Sequence, residues 1–72
     1  MGELELHAIV VKKPVRLDDA VKVAHHITKS NKKMLIRETE SSYRFRVKPK
    51  TKFTEFYSKP IDEKITLIFG KR

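Results

Sequence analysis

The stretch Tyr43-Arg44-Phe45-Arg46-Val47-Lys48 places a cation at every second position and a ring or branched apolar side chain between. A period of two marks a strand with one covered face and one wet face. The chain must therefore build a sheet and a layer to cover Tyr43, Phe45 and Val47. It must also carry three cations in a row on the other face. One helix lying across a mostly antiparallel sheet meets these demands.

Residues 17 to 29 supply the covering layer. Leu17, Ala20, Val21, Ala24, Ile27 and Thr28 recur at helical spacing. Asp18 and Asp19 in the first turn and Lys29 in the last suit the helix dipole. Ser30-Asn31 predicts the stop, because Asn tolerates the left-handed backbone.

The remaining segments read as strands. Residues 3 to 11 alternate, with Leu4, Leu6, Ala8 and Val10 on the covered face. Glu3, Glu5, His7, Ile9 and Val11 fall on the other face, and Lys12-Lys13-Pro14 closes the strand. Residues 33 to 40 and 42 to 48 read as a hairpin with Met34 and Ile36 inward. Its turn near Glu40-Ser41-Ser42 lacks glycine, which leaves the turn type open. Between Pro49 and Pro60, Phe53, Phe56 and Tyr57 allow either a helical turn or an edge segment. Residues 64 to 69 form a last strand with Ile65, Leu67 and Phe69 inward, ended by Gly70. The expected fold class is α+β in the order β-α-β-β-β: one helix packed on a mostly antiparallel sheet of about four strands. Residues 1 to 72 make a single small basic domain. If the first two strands were neighbours, the helix would cross over between parallel strands.

Composition removes several function classes. The chain has 72 residues, no cysteine and no tryptophan, with a net charge of +8. Disulfides, thiolate zinc sites and cysteine nucleophiles are excluded. The longest apolar run, Ala8-Ile9-Val10-Val11, is far short of a membrane span, and Glu3 and Glu5 stand where a leader would be basic. A cytoplasmic protein without membrane contact is expected. The only glycines are Gly2 and Gly70, which excludes a phosphate-binding loop. His7, His25 and His26 lack metal-ligand spacing, so neither a metal nor a cofactor is expected.

The charge is concentrated. Residues 29 to 52 hold Lys29, Lys32, Lys33, Arg37, Arg44, Arg46, Lys48, Lys50 and Lys52 against Glu38 and Glu40, which is +7 in 24 residues. Like charges on adjacent strands repel, so a chain with no anionic partner gains nothing from this arrangement. The expected function is a non-catalytic domain that binds DNA or RNA. Arg37, Arg44, Arg46 and Lys48 would contact phosphates, while Lys32, Lys33, Lys50 and Lys52 would widen the field. Tyr43 and Tyr57 are candidate stacking platforms if exposed.

Ile9, Val11, Leu35 and Ile68 form a second, apolar outward set on the assigned faces. It calls for a lid from residues 49 to 60 or a second subunit, giving a homodimer. Two other functions fit the same residues. One is an adaptor, of phage or mobile-element type, that binds an acidic protein or assembles with itself. The other is a metal-free ribonuclease recruiting His7, Glu38, Arg44, Arg46 and Lys48.

Overall fold

The computed structural model describes residues 3–29, 34–48 and 50–72. Five strands and one helix follow in the order β1 (Glu5–Lys12), α1 (Leu17–Thr28), β2 (Leu35–Glu38), β3 (Ser42–Arg46), β4 (Glu55–Pro60) and β5 (Ile65–Lys71). They form one antiparallel sheet ordered β2-β3-β1-β5-β4, so the fold is α+β with five strands. The first two strands are not neighbours: β3 inserts between them.

The helix covers one face. Ala20 and Ala24 are fully buried with Ile9, Val11 and Phe45. Alanines at i and i+4 lie on one side of a helix and let it approach the sheet closely. Leu6, Tyr43, Val47, Ile65 and Leu67 pack around this centre. Asp18 and Asp19 occupy the first turn. The helix stops at Lys29, whose backbone is left-handed (φ 55°) and whose N–H bonds the His25 carbonyl. Ser30 and Asn31, expected to make that stop, lie outside the described residues, as do Lys32 and Lys33.

The first strand departs from strict alternation, and this corrects the expected faces. Leu6 pairs with Phe69 and Ala8 with Ile68, so a bulge falls between Leu6 and Ala8 at His7. One extra residue reverses the alternation beyond it. Ile9 and Val11 therefore point under the helix, opposite Phe45 and Tyr43, and are core residues rather than an outward interface. Ala8 and Val10 take the open face, opposite Arg46 and Arg44. Leu35 and Ile68 do lie on that face, paired with Arg46 and Ala8. Ala8 and Val10 thus replace Ile9 and Val11 in the outward apolar set.

Of residues 49 to 60, Glu55–Pro60 form an edge strand, and Phe53 just before it folds over the open face onto Gly70. Pro60 is accommodated at its last position, where an edge tolerates a missing donor. Gly70 does not end β5 but lies within it, opposite both Glu5 and Phe56. The glycine-free β2–β3 turn is closed by Thr39. Its Oγ1 accepts hydrogen bonds from the Ser41 and Ser42 N–H groups (3.3 and 3.0 Å), and its own N–H reaches the Ser42 carbonyl at 2.8 Å. This side chain supplies locally what a turn glycine otherwise permits.

Candidate nucleic-acid interface

Strand register places the arginines. Arg37 on β2 stands directly opposite Arg44 on β3, and Leu35 stands opposite Arg46. On the other flank Arg44 faces Val10 and Arg46 faces Ala8. Residues paired across strands share a face, so Arg37, Arg44 and Arg46 stand together on the side of the sheet away from α1. The phase comes from Phe45, locked in the core, which forces Arg44 and Arg46 outward on either side of it.

An open groove of about 690 Å³ runs through this region, lined by His7, Leu35, Arg37, Arg44 and Arg46 together with Ile36 and Thr39. Few carboxylates approach it. Glu38 pairs across from Tyr43 on the helix side, where it holds Lys13 at 2.6 Å. Glu5 is on the open face but at its far end, bound to Lys48 (2.8 Å) and Arg72 (2.9 Å). Those two cations hold its carboxyl below the usual range, the Lys48 hydrogen bond most strongly. Among the described residues, neither Arg37 nor Arg44 makes an ion pair with a carboxylate.

The sequence-derived phosphate set thus divides. Arg37, Arg44 and Arg46 come together. Lys48 joins the end of the same face, with its charge already matched by Glu5. Lys50 and Lys52 are exposed on the connection between β3 and β4. Lys32 and Lys33 lie outside the described residues.

The aromatic expectation is corrected. Tyr43 pairs with Val11 and Tyr57 with Phe69, so both stand on the helix side, away from the arginines. Tyr43 lies under the Lys13 ammonium at 5.2 Å, and the Tyr57 hydroxyl donates to Glu55 at 2.5 Å. The aromatics on the arginine side are Phe53 and Phe56. Phe56 pairs with Gly70, and Phe53 packs over the same glycine. His7 completes this cluster, with ring centroids 5.3 Å from Phe53 and 5.0 Å from Phe56. The sequence signal for the cluster is the glycine that follows Phe69 in the last strand, a mark of close approach above the backbone.

His7 is 6% exposed, and its Nδ1 has no hydrogen-bond partner among the described residues. Burial pushes its pKa below the ordinary value, and the charges of Arg44 and Arg46 push it further the same way. The ribonuclease set is not assembled: His7 lies on the open side of the sheet and Glu38 on the helix side. Among the described residues there is no group of three His, Asp or Glu side chains placed to hold a metal. No helix among them is long and apolar enough to cross a membrane.

Comparison with protein-family models, curated proteins and solved structures finds no match. The functional reading therefore rests on the residues of this chain.

Proposed function

We propose that the chain is a non-catalytic domain that binds nucleic acid through the open face of its sheet. Arg37, Arg44 and Arg46 contact phosphates, and the exposed lysines on the β3–β4 connection extend the field. A cytoplasmic setting, where DNA and RNA are accessible, fits this reading.

The supporting observation is the direct opposition of Arg37 and Arg44. Two like charges facing across a strand pair destabilise the sheet. A solvated face needs charge but has no need to oppose it. A polyanion converts that repulsion into attraction and gains the entropy of released counterions.

The test is a titration of labelled single-stranded and duplex DNA and RNA at two salt concentrations. Three phosphate contacts predict a log–log salt slope of about −2 to −3. The double reversal Arg44→Glu and Arg46→Glu should abolish binding. Retention of binding by that variant would assign it to another surface. No binding by the unaltered chain at low salt overturns the proposal, and capture of an acidic polypeptide instead would support the adaptor function.

A further inference from the structure

Resting on that reading, we infer that the nucleic acid bound is single-stranded, with one base stacked on Phe56 and neighbouring phosphates on Arg44 and Arg46. The carrying observation is that an exposed, braced aromatic ring and the arginine groove meet at one residue, His7.

Phe56 is 54% exposed, the most open aromatic ring on the arginine side. Its orientation is nevertheless set. His7 packs against it at 5.0 Å with the rings tilted by 52°, and Phe53 approaches at 6.1 Å and 70°. Phe53 is in turn seated over Gly70. A ring held in place by its neighbours loses little freedom when a ligand stacks on it. The same His7 lines the groove with Arg37, Arg44 and Arg46. Phe56 and the guanidinium groups therefore flank His7 on one face of the sheet and together mark a track across it.

That track suits a chain in which anions alternate with flat π-faced groups. Single-stranded nucleic acid has this construction, and every base can stack, so no sequence motif is required. A duplex fits poorly for two reasons. Its bases are stacked on one another and offer Phe56 no face. A sheet of five strands spaced ~4.8 Å apart is also roughly 19 Å across, whereas the major groove is only about 12 Å wide.

The experiment compares three labelled probes at one salt concentration: a single-stranded oligothymidylate, a duplex of the same length, and an abasic oligonucleotide of the same phosphate count. The unaltered chain should bind the oligothymidylate tightest. Phe56→Leu keeps the apolar bulk at this exposed edge position and removes the π face. It should weaken the oligothymidylate by about ten-fold or more and leave the abasic probe and duplex unchanged. Phe56→Tyr should restore the preference. Equal loss on all three probes, or no loss on any, overturns the stacked base and leaves the phosphate surface standing. No binding of any probe by the unaltered chain at low salt overturns the phosphate reading itself.

Discussion

The ring of Phe53 fills the space that a side chain on Gly70 would need. In a strand interior, glycine to alanine ordinarily gains about 0.5–1 kcal/mol from the stiffer unfolded chain. Here the new methyl meets the body of an aromatic ring. Overpacking of this kind costs roughly 1–3 kcal/mol, so the packing effect wins. Gly70→Ala should lower the urea midpoint. In a Phe53→Ala background the same substitution should become neutral or stabilising, because the clash has gone. A loss of equal size in both backgrounds would rule out Phe53 as the cause.

His7 makes stability depend on pH. Its pKa is depressed in the folded protein by burial and by Arg44 and Arg46, while in the unfolded chain it returns to about 6.5. The unfolded state therefore takes up the proton first. The contribution is fully present above pH ~6.5 and is lost as pH falls from there through the native value. Urea midpoints at pH 7.5, 6.5 and 5.5 should decline in that order. Phe at this position keeps a ring in the cluster and removes the unpartnered nitrogen, so His7→Phe should flatten the decline. An unchanged slope would point to a different titrating group. Glu5 is separate: its carboxyl is held low by Lys48 and Arg72, so its contribution is lost only at more acidic pH.

Thr39 ties the turn that brings Arg37 opposite Arg44. Its Oγ1 is in hydrogen-bond contact with the Ser41 and Ser42 N–H groups and lies 3.2 Å from the Ser42 carbonyl. Thr39→Val keeps the shape and deletes the oxygen. The cost should be about 1 kcal/mol, typical of a lost hydrogen-bond contribution. Amide exchange should quicken in β2, an edge strand whose residues are all exposed, more than in β1. Uniform acceleration in both strands would mean that the turn is not the local restraint.

How much of this was legible in the sequence depends on whether a strand carries a phase. In β3 every apolar residue is separated by a charged one, so only one face can be buried, and the sequence alone turns Arg44 and Arg46 outward. In β1 the run from Leu6 to Val11 is apolar on both faces except for His7. Such a run is compatible with either parity, and a bulge made by histidine leaves no glycine mark. Strict alternation alone therefore turns Ile9 and Val11 outward, whereas the bulge makes them core. Tyr43 and Tyr57 have the chemistry of stacking platforms, but the β3 phase turns Tyr43 toward the helix. Phe56 could be placed only once β4 was known to be a strand, because Pro49 and Pro60 obscured its period.

The opposition of Arg37 and Arg44 makes the sharpest prediction, because stability and binding should move in opposite directions. Arg37→Gln removes one member of the like-charged pair at an exposed edge position. Relief of the repulsion should raise stability by a few tenths to about 1 kcal/mol. Arg44→Gln relieves the same pair, so combining the two should add little beyond the better single change. Binding should weaken, and the salt slope should become shallower by about 0.7–0.9 for the lost phosphate contact. A stabilising substitution that costs affinity marks a charge kept for a ligand rather than for the fold. If Arg37→Gln lowers stability, the arginine stem is packing on the sheet and the repulsion argument fails. If binding and its salt slope stay unchanged, Arg37 is outside the phosphate surface.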